Sequence, residues 1–284
     1  MATRGTTSGI LSGTTAVAGI MGWPISHSRS PRLHGYWLRE YGVDGVYMPL
    51  AASPDRIEAA FRGLPGLGFR GVNVTIPHKI SALEACDRVD DVATRIGAVN
   101  TIVVEEDGAL SGTNTDAYGF LENLRQESAW RGGDGPAMVL GAGGAARAVC
   151  VALLDAGAPE VRIANRTDAR AQALADEFGL TPVPWADRAA ALDGAALLAN
   201  ATSLGMTGQA TLDLPLDVLP DNALVHDIVY APLETELLAR ARARGNPTVD
   251  GLGMLLHQAR PGFEAWFGLS PAVTPALRKF VLES

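Results

Sequence analysis

The order of apolar and polar positions along the chain indicates that short strands alternate with amphipathic helices. Runs rich in β-branched residues are typical of strands, and apolar residues that recur every three to four positions are typical of helices. In the first half the pattern predicts strands over 15–22, 45–52 and 69–76, and two strands within 100–110 around an Asp-Gly turn. It predicts helices over 30–41, 54–64, 78–86 and 88–96. Ser53 and Pro54 are expected to open the second of these helices as N-cap and first residue.

The second half repeats this alternation from about Pro136 onwards. Residues 137–157 predict a strand, a glycine turn and a helix that ends at Gly157. Further strands are predicted over 161–165, 195–202 and 223–230, a helix over 168–178, and mostly helix from Asp250 to the end. The predicted fold class is therefore α/β with two domains, an N-terminal α/β unit and a Rossmann-like, doubly wound unit that begins near residue 116. The pattern alone leaves open which unit the C-terminal helices pack against.

Composition and charge narrow the classes of function. The 284 residues exceed the usual size of one domain, and 47% hydrophobic against 19% charged residues is typical of a soluble protein with a large core. A net charge of −8 argues against nucleic acid or an anionic membrane as the partner. Residues 1–16 lack the apolar segment of a signal peptide and are predicted to be a flexible extension of a cytoplasmic protein. Monomer and homodimer are both compatible with the sequence.

The glycine turn predicts a nucleotide-binding site. Gly141, Gly143 and Ala146 form G-x-G-x-x-A between a predicted strand and a predicted helix, which is the context that the dinucleotide fingerprint requires. The first glycine permits the tight turn, the second lets a pyrophosphate approach the backbone, and the small third residue allows the helix to pack closely on the strand. The alternative is a glycine-rich turn with a purely structural role.

The end of the next predicted strand indicates which cofactor is bound. An NAD enzyme usually places Asp or Glu about 20 residues beyond the glycines, to hold the ribose 2′-hydroxyl. Here Asn165, Arg166 and Thr167 occupy that position, and Arg170 follows one turn later. Each guanidinium can bind the 2′-phosphate of NADP by charge-assisted hydrogen bonds worth about 1.5–3 kcal/mol. NADP(H) is therefore the predicted cofactor, with two arginines on a solvated face as the alternative. The nearby Asp168 is expected to serve the dipole of the following helix.

Several polar residues outside the nucleotide unit indicate a small anionic substrate. Ser28 and Ser30 lie between the first predicted strand and its helix, where hydroxyl groups can cap the helix or bind a carboxylate. Asp116 lies in a polar cluster at the start of the second unit, where it could equally be a helix N-cap. Lys79 is one of only two lysines among 23 Lys and Arg residues, and it follows a strand that stops at Pro77. That choice of residue favours a role for an ammonium group, with chance placement as the alternative.

The motifs, taken in order, resemble those of the shikimate dehydrogenase family. They are HSRSP, NVTIPHK, GAVNT, GTNTD, GAGGAAR, NRT, NATSLGM, DIVYAPLET and DGLGMLLHQA, and the resemblance covers about residues 17–275. It implies the NADPH-dependent reduction of 3-dehydroshikimate to shikimate in aromatic amino-acid biosynthesis. It also implies a substrate-binding domain formed by 17–115 and 251–284, to which the C-terminal helices return, and an NADP-binding Rossmann domain formed by 116–250. Leu204 is a departure, because small or polar residues commonly occupy that position in the family.

Carried over residue by residue, the family pattern makes Lys79 and Asp116 the catalytic pair. The residues that it assigns to the substrate are Ser28 and Ser30 for the carboxylate, and Thr75, Asn100 and Gln258 for the ring hydroxyls. The residues that it assigns to the cofactor are Gly141, Ala142, Gly143, Gly144 and Ala145 in the glycine loop, Asn165, Arg166, Thr167 and Arg170 at the phosphates, and Tyr230, Gly251 and Met254 near the nicotinamide.

The chemistry of ketone reduction explains why a lysine is used. Hydride addition creates a developing alkoxide, which needs a cation or a proton donor within hydrogen-bond reach. An ammonium group supplies both, whereas a guanidinium does not give up its proton. We therefore expect Lys79 to donate to the C3 oxygen of the substrate and Asp116 to orient it, with Lys79, Asp116 or water as the proton carrier. The five histidines show no ligand spacing, so no metal is predicted.

Two other interpretations are kept open. A quinate/shikimate dehydrogenase is related and often prefers NAD, and discrimination between the two substrates would depend on one or two side chains. Arg166 and Arg170 favour the NADP-dependent enzyme. The alternative outside the enzymes is a nucleotide-dependent sensor that keeps the fold without turnover. Lys79 and Asp116 weigh against it.

Overall fold

The chain folds into two compact α/β units. The computed structural model describes residues 11–283. The first unit ends at Thr115 and resumes at Gln258, and the second unit runs from Asp116 to His257. The sequence predicts the second of these boundaries seven residues earlier, at 250/251. Residues 1–10 of the predicted flexible extension lie outside the described residues. In the described part of that extension, the Thr15 hydroxyl donates to Asp44 Oδ1 at 2.7 Å.

The first unit is built on a six-stranded sheet. Its elements before residue 116 are β1 (Ala16–Gly22), α1 (Ser30–Glu40), β2 (Gly45–Ala51), α2 (Ile57–Gly63), β3 (Phe69–Val74), α3 (Lys79–Ala85), β4 (Arg88–Val89), α4 (Asp91–Ile96), β5 (Thr101–Val104) and β6 (Leu110–Thr113). The strand order is β2-β1-β3-β5-β6-β4. β1 pairs in parallel with β2 and β3, whereas β5 is antiparallel to both β3 and β6. The carboxyl ends of β1 and β3 therefore lie at one edge of this sheet.

The second unit is a doubly wound parallel sheet. Its elements are α5 (Asp116–Glu127), β7 (Ala137–Leu140), α6 (Gly144–Asp155), β8 (Val161–Ala164), α7 (Asp168–Phe178), β9 (Thr181–Pro182), β10 (Leu197–Asn200), β11 (Leu224–Asp227), α8 (Glu236–Arg244), β12 (Thr248–Val249) and the start of α9 (Leu252–Phe267). The strand order is β12-β11-β10-β7-β8-β9, and all neighbours are parallel. The order reverses at β7, and dinucleotides bind at such switch points. The predicted α/β fold class is confirmed.

The C-terminal helices complete the first unit. Residues of α9 from Gln258 onward and all of α10 (Pro275–Leu282) belong to it. Arg32 on α1 donates from Nε to the Phe280 carbonyl at 2.6 Å, and Trp37 donates from Nε1 to the Ala272 carbonyl at 3.1 Å. None of the helices within residues 11–283 is long and apolar enough to cross a lipid bilayer.

Two predicted helix starts are wrong, and each error has a local cause. The helix predicted over 54–64 begins only at Ile57, because the Ser53 carbonyl accepts from the Arg56 N–H at 2.9 Å and closes a turn instead of a helix cap. The helix predicted over 88–96 begins at Asp91. Asp90 caps it by accepting from the Ala93 N–H at 2.7 Å. The two residues before that cap form β4, which pairs with β6.

Candidate active site

Lys79 is the first residue of α3, and the backbone around it is held from several sides. The preceding His78 is buried, and its Nε2 donates to the Ala52 carbonyl at 2.7 Å. The Thr75 carbonyl accepts from the His78 N–H at 2.9 Å, which ends β3 two residues earlier than predicted. The Lys79 carbonyl accepts from the Val99 N–H at 2.9 Å. The half-buried Lys79 side chain therefore projects from a fixed backbone.

Asn100 and Gln258, which are predicted to bind ring hydroxyls, lie in one hydrogen-bonded network. Asn100 donates from Nδ2 to Thr115 Oγ1 at 3.0 Å and to Gln258 Oε1 at 3.3 Å. Its Oδ1 accepts from the Thr115 N–H at 2.9 Å, and Thr115 Oγ1 donates to the Gln258 carbonyl at 2.8 Å. These bonds bring together residues that are far apart in the sequence. They fix the orientation of both amides.

The network continues across the sheet to Tyr47 on β2. Asn73 donates from Nδ2 to Thr101 Oγ1 at 3.0 Å, and Thr101 Oγ1 donates to Asn100 Oδ1 at 2.9 Å. The Tyr47 hydroxyl donates to Asn73 Oδ1 at 2.6 Å. Burial raises the pKa of Tyr47 well above its ordinary value, so the phenol stays protonated. One chain of hydrogen bonds thus links Tyr47 to Asn100 and onward to Gln258.

The two serines do not act as the N-cap of α1. That position belongs to Arg29, which makes no side-chain capping bond. Ser28 Oγ accepts from the Ser30 N–H at 3.3 Å, so the Ser28 hydroxyl keeps its own proton as a donor. Thr75, the remaining residue predicted to bind substrate, is half-buried just after β3, and its N–H donates to the Met21 carbonyl at 2.9 Å.

Asp116 belongs to the second unit, where it is the first residue of α5 and is only 1% exposed. The sequence allows Asp116 to be a helix N-cap, but it lies one position inside α5, where the helix dipole stabilises a carboxylate. Burial also removes it from bulk water, and charge interactions are stronger there. The position is therefore compatible with a stabilising role in α5 and with a catalytic one.

The glycine turn has the geometry that the fingerprint predicts. The N–H of Gly141 donates to the Ala164 carbonyl at 2.8 Å, and its φ of +113° lies in a region that favours glycine. A Cβ at Gly141 would lie 2.7 Å from the Ala201 carbonyl oxygen, whereas a Cβ at Gly143 would meet no atom within 4 Å. Ala146 is fully buried, as close packing of α6 on the sheet requires. The open space at Gly143, the residue before α6, fits the approach of a phosphate.

The residues predicted to hold the 2′-phosphate follow β8, the neighbour of β7 in the sheet. Arg166 and Arg170 are exposed, and within residues 11–283 no carboxylate forms an ion pair with either of them. Asn165 donates from Nδ2 to the Thr167 carbonyl at 3.0 Å, which shapes the turn. Asp168 Oδ1 accepts from the Trp185 N–H at 2.9 Å, so this carboxylate is held by the loop after β9. Both guanidinium groups therefore fit an anionic ligand.

The residues predicted near the nicotinamide lie after β11 and at the start of α9. Tyr230 is half-buried after β11, while Gly251 and Met254 are buried. A buried polar cluster ties the ends of β10 and β11 together. Asp227 accepts from Asn200 Nδ2 at 3.0 Å and from Thr235 Oγ1 at 2.7 Å. These bonds fix the loops at the carboxyl edge of the sheet.

Asp227 predicts a pH dependence of stability. Burial raises its pKa from 3.8 to about 6, although its hydrogen bonds favour the charged form. Because the folded state binds this proton more tightly than the unfolded state, the stabilisation is full below pH 3.8 and is lost as the pH rises to about 6. The loss is about 3 kcal/mol. Asp227→Asn cannot ionise, so we expect its unfolding free energy to rise relative to the unsubstituted protein between about pH 4 and pH 7. Urea unfolding at several pH values measures it, and a pH-independent difference would contradict the raised pKa.

Sequence reasoning missed four members of the hydrogen-bonded network in the first unit. Asn73, Thr101 and Thr115 lie inside the motifs NVTIPHK, GAVNT and GTNTD, so the sequence already marks these polar positions. Tyr47 lies outside every motif, and its contact with Asn73 depends on the strand order of the sheet. Within the described part of the chain, no group of three or more His, Cys, Asp or Glu residues could hold a metal ion.

Comparison with known proteins gives matches across both units. A family model described as "Shikimate dehydrogenase substrate binding domain" matches residues 20–102, and one described as "Shikimate / quinate 5-dehydrogenase" matches residues 126–205. The chain is 61% identical over 275 residues to the shikimate dehydrogenase (NADP(+)) of Paramagnetospirillum magneticum, which covers 96% of this chain and 100% of that protein.

Solved structures show the same similarity. Shikimate 5-dehydrogenase from Thermus thermophilus, in complex with NADP(H) and shikimate, is 39% identical with a TM-score of 0.82, covering 94% of this chain and 98% of that one. Quinate dehydrogenase from Corynebacterium glutamicum, in complex with NAD, is 32% identical with a TM-score of 0.86, covering 95% of this chain and 99% of that one.

Proposed function

Because the chain belongs to the shikimate dehydrogenase family, we infer that it reduces 3-dehydroshikimate to shikimate reversibly with NADPH. The observation that carries this function is the high identity to an NADP-dependent shikimate dehydrogenase along nearly the whole chain. The protein is therefore an oxidoreductase that uses NADP(H). The reaction serves aromatic amino-acid biosynthesis.

We propose that the first unit binds the substrate and the second binds NADP. Ser28 and Ser30 would hold the carboxylate, and the Ser30 N–H donates to Ser28 Oγ at 3.3 Å, which keeps the two residues together. Asn100, Gln258 and Thr75 would hold ring hydroxyls. The hydrogen bond between Asn100 and Gln258 supports this assignment, because amides that are fixed before the substrate arrives lose little conformational freedom on binding.

The residues of the second unit fit NADP. The loop Gly141–Ala145 would bind the pyrophosphate at the N-terminus of α6, and the cluster Asn165–Arg170 would bind the 2′-phosphate. Tyr230, Gly251 and Met254 would lie near the nicotinamide. Bound NADPH supplies the hydride for the reduction. The guanidinium groups of Arg166 and Arg170 are exposed and form no ion pair with a carboxylate of residues 11–283, which supports NADP over NAD.

Lys79 and Asp116 are the proposed catalytic pair. As hydride reaches C3, electron density moves to the carbonyl oxygen, and the Lys79 ammonium donates a hydrogen bond and then a proton to it. The carbonyl thereby becomes the hydroxyl of shikimate. Asp116 accepts a hydrogen bond from a substrate hydroxyl and fixes the ring. In the reverse direction, Lys79 takes up the proton of the same hydroxyl.

The proposed enzyme is cytoplasmic, because its reaction draws on the intracellular pool of NADPH. It works as a monomer or a homodimer, the two states that the sequence leaves open. Its small-molecule substrate is anionic, and the net charge of −8 disfavours nucleic acid and anionic membranes as partners.

Kinetics with four substrate pairings test the function. The value of kcat/KM is measured for shikimate or quinate with NADP or NAD. We expect shikimate with NADP to exceed each other pairing by at least about tenfold, because quinate has an additional hydroxyl and NAD lacks the 2′-phosphate. Highest activity with quinate and NAD would instead place the chain beside the quinate dehydrogenase of similar fold. NADP binding without turnover of any pairing would indicate a sensor.

A further inference from the structure

Asn123 on α5 joins three segments of the second unit. It is only 1% exposed. Its Nδ2 donates to the Asp250 carbonyl at 2.8 Å and lies 3.3 Å from Nε2 of His226. Asp250 directly precedes Gly251 and α9, and His226 lies on β11, which leads to Tyr230. One amide therefore connects α5 to both segments that are proposed to lie near the nicotinamide.

The partners of Asn123 fix the orientation of its amide. Burial lowers the pKa of His226 to about 3, so the imidazole is neutral and can accept a hydrogen bond at Nε2. The His226 ring also stacks on Phe120 of α5, with ring centroids 5.0 Å apart. Rotating the amide by half a turn would place its oxygen against the Asp250 carbonyl. The observed orientation is therefore the one that satisfies both acceptors.

The remaining contact of Asn123 is a close approach to the backbone of α9. A Cβ at Gly253 would lie 1.8 Å from Asn123 Oδ1 and 2.6 Å from its Cγ, and the third-nearest atom would be its Nδ2. The amide thus lies against the first turn of α9, and only glycine allows this distance. A side chain at position 253 would therefore clash first with Asn123.

Asn123 is on the same face of α5 as Asp116 and Phe120. These positions are separated by four and then three residues, the spacing of one helix face. Seven residues of helix span about 10 Å, so a shift or rotation of α5 at Asn123 is carried to Asp116 by a rigid element.

We propose that Asn123 is a positioning residue for the reaction: its amide sets the rotation and axial position of α5, and with them the place of the Asp116 carboxylate, relative to residues 228–230 and 250–254. This inference rests on the proposed function, in which Asp116 acts on the substrate and those segments hold the nicotinamide. Asn123 itself touches neither ligand in this scheme. It acts through the backbone of α5.

The test combines substitutions from both sides of the contact. Asn123→Ala removes both hydrogen bonds, and Gly253→Ala pushes the amide away, so we expect each to lower kcat for shikimate oxidation by about 10- to 100-fold. The KM for shikimate and the Kd for NADP, measured by fluorescence titration, should change by less than about threefold, because Asp116 is the only displaced residue among those proposed to bind shikimate and the residues proposed for the cofactor phosphates are untouched. The double variant should be no slower than the slower single variant, because Asn123→Ala makes room for the methyl group at position 253.

Asn246→Ala is the matched control. Asn246 is also a buried asparagine of the second unit, and its Nδ2 donates to the carbonyls of Pro220, Asp221 and Ala223 at 2.8, 3.1 and 3.1 Å. We expect this variant to lower the thermal unfolding temperature as much as Asn123→Ala does, while kcat stays within about threefold of the unsubstituted enzyme.

Several outcomes would overturn the positioning role. These are an Asn123→Ala enzyme with unchanged kcat, a loss that appears only in KM or in the Kd for NADP, multiplicative losses in the double variant, and an equal loss of kcat in Asn246→Ala. If Asn123→Ala does not fold, Asn123→Ser, whose hydroxyl can still donate, is expected to show the same selective loss in kcat with a smaller magnitude. Absence of turnover in the unsubstituted protein would instead refute the proposed function.

Discussion

Lys79→Ala is expected to lower kcat for shikimate oxidation by about 10³-fold, with a much smaller change in KM. The ammonium group interacts most strongly with the oxygen when that oxygen carries negative charge, and this occurs in the transition state. Removing it therefore costs more in kcat than in substrate binding. Steady-state kinetics at saturating NADP measures both constants. A near-normal kcat in this variant would rule out a catalytic role for Lys79.

Lys79→Arg separates the charge of Lys79 from its proton. Arginine keeps a positive charge, but its guanidinium does not give up a proton and is larger and planar. We expect the kcat of Lys79→Arg to exceed that of Lys79→Ala by less than about tenfold. Recovery to nearly the original kcat would show that the charge alone is needed and that water or Asp116 carries the proton.

Lys279→Ala is the matched control for both substitutions. Lys279 is the only other lysine of the chain, and it lies on α10 with its side chain 79% exposed and 3.8 Å from Glu283. An exposed pair of this kind contributes little to stability. We expect kcat and KM of Lys279→Ala to equal those of the unsubstituted enzyme. A loss of kcat in Lys279→Ala as large as that in Lys79→Ala would mean that the effect at Lys79 is not specific to the proposed site.

Local patterns in the sequence were sufficient for most of the fold. The strand, glycine turn and helix over 137–157 have the predicted form, because a short apolar run is followed directly by Gly141, whose φ of +113° favours glycine. The Asp-Gly turn between β5 and β6 also forms where predicted, with Gly108 at a φ of +82°. In both places the conformation is decided by residues that are neighbours in the chain.

The errors and omissions arise where distant residues decide the structure. Arg88 and Val89 form a strand because β6, more than twenty residues later, offers a free edge. Tyr47 reaches Asn73 because β1 separates β2 from β3 in the sheet, an order that periodicity does not specify. Asn123 carries no motif either, and its importance depends on the start of α9. Networks of single side chains therefore require the structure.

Replacing both Arg166 and Arg170 by Ala is expected to remove the preference for NADP. Each guanidinium contributes about 1.5–3 kcal/mol to binding of the 2′-phosphate, so the KM for NADP should rise by at least about 100-fold in the double variant. The KM for NAD should stay within about threefold, because NAD has no group at that position. The ratio of kcat/KM for NADP to that for NAD measures the effect directly.

The exposure of both arginines adds a second expectation to this cofactor preference. Interactions of exposed charges weaken with salt, so the KM for NADP of the unsubstituted enzyme should rise with ionic strength, while that of the double variant should respond little. Arg125→Ala, which removes an exposed arginine paired with Glu122 on α5, is the control and should change neither value. An equal rise in KM for both cofactors in the double variant would show that the arginines support the fold of the loop. They would then play no part in binding the 2′-phosphate.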